Sequence, residues 1–116
     1  MKVIFIKNVN NEEIDCNLEI HDALHIKDTN NSYLFLHNKF NKLVIDKSNE
    51  VYIEIDKIIT SVEINNCNNI FIKANDSGIP FVPCIELFKS SLYLVGDIEQ
   101  YKPILIVAES SSLYNI

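Results

Sequence analysis

Short runs of alternating apolar residues recur along this chain 19 positions apart. Leu24-His25-Ile26 returns as Leu43-Val44-Ile45 and again as Val62-Glu63-Ile64. A second series, Val51-Tyr52-Ile53 and Ile70-Phe71-Ile72, keeps the same step. Polar segments lie between them: residues 27–32, 46–50 and 65–69. Period-2 alternation predicts strands with one buried face. A fixed period of about 20 residues built from such strands is the signature of a solenoid. A single triplet buries too little to stand alone, so each rung needs the next one stacked on it.

One full rung can be laid out. Leu43 and Ile45 point inward from a first strand, and residues 46–50 turn the chain. Val51, Ile53 and Ile55 form a second strand. Asp56 and Lys57 turn it again, Ile58 and Ile59 make a short third side, and Val62 begins the next rung. Strands one period apart then stack in parallel. The fold class this predicts is all-β, a parallel β-helix of about five rungs. Residues 84–95 can be drawn on a helical wheel, with Ile85, Phe88 and Leu92 on one side, but they alternate as well. Strands are the better reading, because Pro80 and Pro83 hold the preceding segment extended. Residues 103–109 read as a late strand. No linker or composition break divides the chain, so residues 1–116 form a single domain.

Asparagine changes the picture of the turns. The chain has 15 Asn and only two glycines, Gly78 and Gly96. Asn30, Asn31, Asn49, Asn65, Asn66, Asn68 and Asn69 fall between the strands. Asn tolerates left-handed backbone and bonds its own turn, so it can replace glycine there.

Charge and cysteine usage narrow the function. The net charge is −6, and all ten basic residues are lysine. An acidic chain without arginine lacks the basic surface that nucleic-acid binding rests on. It also cannot supply an arginine finger to GTP hydrolysis, which needs a planar, permanently charged guanidinium. Cys16, Cys67 and Cys84 are odd in number and widely spaced, which indicates neither a disulfide framework nor a zinc knuckle. No apolar run approaches the roughly 18 residues of a membrane span. The first residues turn polar too soon for a secretory signal. A soluble, cytoplasmic protein without a membrane partner is expected.

Chemistry-bearing groups are scattered. His21 and His25 have the spacing of helical zinc ligands, with His37 further on. Here they fall in or beside strands with no general base between them, and they read as structural histidines. Cys67 with His25 lacks any group to orient it as a nucleophile. Glu12–Glu13, Glu50–Glu54 and Glu86–Glu99 offer carboxylates without a cleft. The run Ser110 to Ser112 lacks a nucleophile elbow and reads as a terminal polar strand. No glycine-rich phosphate loop exists. No catalytic residue, cofactor or metal is assigned.

The outward positions remain. Tyr52, Glu54, Glu63, Phe71 and Lys73 face away from the core if Val51, Ile53, Ile64, Ile70 and Ile72 face in. Tyr52 and Phe71, one period apart, should stack. Aromatics beside charges make binding hot spots. That face, or a Lys42–Glu63 face beside it, is the expected docking surface.

These residues also resemble a family. The stretch from Ser61 to Ala74 looks like the C-terminal domain of cyclase-associated proteins (C-CAP), a β-helix that binds actin monomers. The family's Val-Glu-Ile-x-x-Cys rung is matched by Val62, Glu63, Ile64 and Cys67. Its proline, followed thirteen residues later by Tyr-Leu, is matched by Pro80 and Tyr93-Leu94. Its Ser-Ser-x-x-Asn element is matched by Ser111, Ser112 and Asn115. The likeness runs from about residue 20 to the end of the chain. It implies a right-handed β-helix that binds monomeric actin and promotes exchange of its nucleotide or sequesters it. The actin-binding candidates are then Tyr52, Glu54, Glu63, Phe71, Lys73 and Lys42. The family has an acidic residue and a methionine where Leu113-Tyr114 stand here, and it continues past the asparagine into a strand swapped between subunits. With the sequence ending at Ile116, a homodimer is expected through an exposed terminal rung instead. Tubulin-binding cofactor C shares the β-helix but acts through an arginine finger. The alternative reading is therefore a cofactor C-like assembly module for another cytoskeletal partner, without GTPase-activating activity.

Overall fold

Every alternating triplet is a strand, and the chain shuttles between two parallel sheets. The computed structural model describes residues 2–75, 83–96, 101 and 105–116. The first sheet holds the odd-numbered strands: β1 (Lys2–Lys7), β3 (Asp22–Lys27), β5 (Lys39–Asp46), β7 (Lys57–Asn65), β9 (Cys84–Phe88) and β11 (Leu105–Glu109). The second holds β2 (Glu13–Asn17), β4 (Asn30–His37), β6 (Asn49–Ile55), β8 (Asn68–Ala74), β10 (Ser91–Val95) and β12 (Ser112–Asn115). Each strand pairs in parallel with the strand two places along. Six strands per sheet make five turns between the first strand and the last, the expected parallel β-helix. Parallel crossovers of this kind are right-handed in nearly all proteins.

The register follows the sequence step. Leu24 pairs with Leu43, and Leu43 with Val62. Val51 pairs with Ile70. The step lengthens afterwards, since Val62 pairs with Ile85 and Cys84 with Leu105. Residues 84–95 form β9 and β10, as the alternation predicts. Pro80 and residues 103–104 lie outside the described residues. All five residues expected to point inward (Val51, Ile53, Ile64, Ile70 and Ile72) are buried. The interior is a narrow double row of Leu, Ile and Val. β-Branched side chains suit it, because they pack well on a pleated surface.

The expected third side is absent from the central rung. Ile58 and Ile59 belong to β7, which continues unbroken from Lys57. A register irregularity between Phe40 and Lys42 absorbs the difference in length. Ile58 is then buried and Ile59 exposed, as alternation within one strand requires. Asp56 alone makes the corner. Its carboxylate accepts from the Asn38 backbone N–H and from Asn75 Nδ2, both at 2.7 Å.

The other corner is longer and is repeated from coil to coil. Asn8 and Asn11, Asp28 and Asn31, Lys47 and Glu50, and Asn66 and Asn69 all have positive φ. Lys89 and Ser110 continue the first member of each pair. Among the described residues, six of the eleven non-glycine residues with positive φ are Asn; of the seven expected at the turns, Asn31, Asn66 and Asn69 take the place of glycine in this way.

Between the two left-handed residues sits a buried polar column. The backbone N–H of Thr29 donates to Ser48 Oγ, that of Ser48 to Cys67 Sγ, that of Cys67 to Ser90 Oγ, and that of Ser90 to Ser111 Oγ. Each of these side chains also reaches the carbonyl two residues back in its own turn. Buried backbone donors need such partners. Among the described residues no buried side-chain polar atom lacks a hydrogen bond.

Candidate protein-binding faces

Two sheets give two outward faces, and the candidate residues divide between them. Tyr52 and Glu54 project from β6, Phe71 and Lys73 from β8, all on the second sheet. Tyr52 pairs in register with Phe71, and Glu54 with Lys73. Lys42 and Glu63 lie on β5 and β7 of the first sheet and pair with each other. The Lys42–Glu63 face is thus not beside the aromatic face; it is on the other sheet. No single flat surface holds all six.

The second sheet carries a longer aromatic row than Tyr52 and Phe71. Register aligns Tyr33, Tyr52, Phe71, Tyr93 and Tyr114 on successive strands. Ring centroids are 5.0 Å apart for Tyr33–Tyr52, 6.1 Å for Tyr52–Phe71, and 4.7 Å for each of Phe71–Tyr93 and Tyr93–Tyr114. The last three contacts are stacked, as offset aromatic pairs prefer. Phe35 packs beside Tyr33. Tyr33 stands one 19-residue step before Tyr52, a signal that was available in the sequence. Tyr93 was hidden because the step has lengthened by then.

On this sheet His37 of β4 pairs with Asp15 of β2. Glu50, Glu54 and Lys73 take part in none of the ion pairs seen among the described residues. On the first sheet the central charges are paired. Its Lys42 holds Glu63, and His25 Nε2 lies 2.5 Å from Asp46 Oδ2. Asn65 Nδ2 donates to the other Asp46 oxygen at 3.0 Å, and Phe5 leans on the His25 ring. These polar groups are already satisfied by one another. A groove of about 620 Å³ opens on the second sheet, over Tyr33, Tyr52 and Phe71.

The residues considered for catalysis are dispersed. His21 is exposed beside β3, His25 is bound to Asp46, and His37 to Asp15. Among the described residues no three His, Cys, Asp or Glu side chains are grouped to hold a metal. Cys67 is in the buried column and His25 on the outer surface, so they do not form a pair. Glu99 lies outside the described residues. Ser111 closes the column and Ser112 starts β12.

Burial pushes the Cys67 thiol from 9.0 up to about 11. Native Cys67 should therefore resist iodoacetamide at pH 8 and react only on unfolding, which mass spectrometry of labelled peptides would show. The unfolded thiol ionises first, so this group makes stability fall as pH rises from about 9 towards about 11.

No helix among the described residues is long and apolar enough to cross a membrane. No curated protein matches the chain. Among solved structures, the crystal structure of the cyclase-associated protein from Cryptosporidium parvum superposes with a TM-score of 0.80 at 22% identity. The match covers 98% of this chain and 73% of that one, and it shows a shared fold. The family model for the adenylate cyclase associated (CAP) C terminal matches residues 1–116. With that match over its whole length and the β-helix it folds into, the chain belongs to the CAP C-terminal family.

Proposed function

We propose that this domain is a non-enzymatic cytoplasmic module that binds monomeric actin through its second sheet. The observation that carries the choice of face is the aromatic row of β4, β6, β8, β10 and β12 with Glu54 and Lys73 beside it. Partly exposed aromatics next to charges outside any ion pair are what protein interfaces use as anchors. Tyr52, Phe71, Glu54 and Lys73 form the contact. Lys42 and Glu63 satisfy each other on the opposite sheet and contribute little to it.

Exchange of the actin nucleotide follows if the domain prefers the conformation in which that nucleotide is loosened. Only such a difference in affinity can shift the equilibrium.

The test is to mix the protein with ADP-actin carrying a fluorescent nucleotide. Faster release is the expected result. Binding without faster release would identify a sequestering domain. Absence of binding would overturn the actin reading and favour another cytoskeletal partner.

A further inference from the structure

The first coil leaves both sheets open. Among the described residues β1 pairs only with β3 and β2 only with β4, so both present a free backbone edge at the same end of the solenoid. The inward residues of this coil, Ile4, Ile6, Ile14 and Cys16, are only partly buried. Their register partners in the next coil, Leu24, Ile26, Leu34 and Leu36, are fully buried. Val3 and Phe5, on the outer side of β1, are 48% and 54% exposed. An apolar edge with free backbone groups is a template for another strand. The two edges differ in charge. β1 begins and ends in lysine, Lys2 and Lys7, whereas β2 carries Glu13 and Asp15.

We infer that this end binds a second copy of the same chain about a twofold axis parallel to the strands, so that β1 of each copy pairs antiparallel with β2 of the other. The chain turns back at residues 8–12, which sets Lys7 and Glu13 abreast on the two sheets. A half-turn about an axis along the strands keeps them abreast and exchanges the sheets. Lys7 of one copy then lies opposite Glu13 of the other, Ile6 opposite Ile14 and Ile4 opposite Cys16. Inward residues meet inward ones and outward residues meet outward ones, as the pleat requires. The four half-covered apolar residues of each copy close into one continuous core, and both open edges are paired.

Charge selects this arrangement over the other twofold, about the sheet normal, which pairs each strand with its own copy. In that case β2 sets Asp15 against Asp15, or after a two-residue slip Glu13 against Asp15. Like charges directly opposite are destabilising. In the crossed arrangement each acidic edge meets a basic one, and complementary charge fixes register. Lys7 is available for this: it lies over the Phe5 ring, 4.6 Å from the centroid, and belongs to none of the ion pairs among the described residues. The contact is at the opposite end from the rung at Ile116 where a dimer was expected. It is independent of the actin reading, because it uses the end of the solenoid and not the outer face of the second sheet.

Sedimentation of the chain with paired charge reversals tests it. The wild type should form a dimer that dissociates on dilution. Lys7→Glu sets Glu against Glu13 at both pairs, and Glu13→Lys sets Lys against Lys7. Each should weaken self-association about tenfold or more. Both residues are exposed, so neither change reaches the core, and unfolding midpoints check this. An equimolar mixture of the two variants restores both pairs and should dimerise again. A wild type that stays monomeric at every concentration, or a dimer that neither reversal weakens, overturns the assignment, as does a mixture that fails to recover. Ile4→Cys adds a geometric readout. Within one copy residues 4 and 16 are on sheets about 10 Å apart, beyond the roughly 7 Å that a disulfide spans. Between copies they are cross-strand neighbours at about 5 Å. Oxidation should give a covalent dimer linked through positions 4 and 16, lost when Cys16→Ser is added. A link between two copies of position 4 would overturn the crossed pairing.

Discussion

Phe71→Ala combined with Lys73→Glu is expected to weaken binding to monomeric actin by about 2–3 kcal/mol, roughly 30- to 150-fold. Phe71 is the middle ring of the row. Tyr52 and Tyr93 flank it, with centroids at 6.1 and 4.7 Å. Its truncation removes the centre of the apolar stripe, where binding energy concentrates. Lys73 is paired in register with Glu54. Reversing it sets two carboxylates side by side and removes the cation from that flank.

The double variant should remain folded, because both side chains point away from the core. It loses the two ring contacts, each worth about 0.5–1.5 kcal/mol. That is small against the roughly 5–15 kcal/mol of a typical domain. Lys42→Glu is the control. It breaks the pair with Glu63 on the opposite sheet and should leave actin affinity within about twofold, since a pair on a partly exposed face contributes about 0–1 kcal/mol. Sedimentation of labelled actin with each variant reads both effects. A loss caused by Lys42→Glu and not by the double variant would move the interface to the first sheet.

Tyr101→Ala should produce the largest loss of stability. Tyr101 is fully buried. Its hydroxyl accepts from the Ala74 backbone N–H at 3.1 Å and lies within hydrogen-bond reach of the Ile72 and Val95 carbonyls. One side chain thus ties the end of β8 to the end of β10. Truncating a buried aromatic costs about 3–5 kcal/mol. Leaving the Ala74 N–H without a partner adds about 1–3 kcal/mol. In a stack where coils touch only their neighbours, the damage should stay local. Hydrogen exchange should therefore accelerate in β10 and β12, while β4 and β6 keep their protection. Uniform acceleration along the whole chain would instead mean that the domain opens as one unit. Tyr101→Phe separates the two terms, since it keeps the ring and loses the hydroxyl.

The inward and outward assignment was legible because alternation is a local property. Leu43, Ile45, Val51 and Ile53 declare their side within one strand. The number of sheets was not legible. Ile58 and Ile59 look like a separate side until a register irregularity next to Phe40 makes them part of β7. Glu63 and Lys73 both read as outward residues, but they belong to opposite sheets. The actin candidates Tyr52, Glu54, Phe71 and Lys73 came together because they share two adjacent strands with an unchanged 19-residue step. Tyr93 and Tyr114 entered only through the family resemblance and not as members of the row, because the coil lengthens after Ala74 and a fixed period then points to the wrong residue. Tyr101 carries no periodic signal at all, since its partners are carbonyls and an amide contributed by the folded backbone. The buried column was equally hidden. Thr29, Ser48, Cys67, Ser90 and Ser111 share a geometric role, but not one residue type or one step.

That column has a consequence for how such a domain can change its length. Each coil hands its donor to the next coil and satisfies its own side chain within its own turn. The column therefore repeats one bond at every coil. If a whole coil were duplicated or lost between Lys47 and Asn66, each backbone donor of the column would still face a side chain of the coil that follows. The same fold is thus open to growth and shrinkage by modules, and its outer face can gain or lose one aromatic and one polar position at each step.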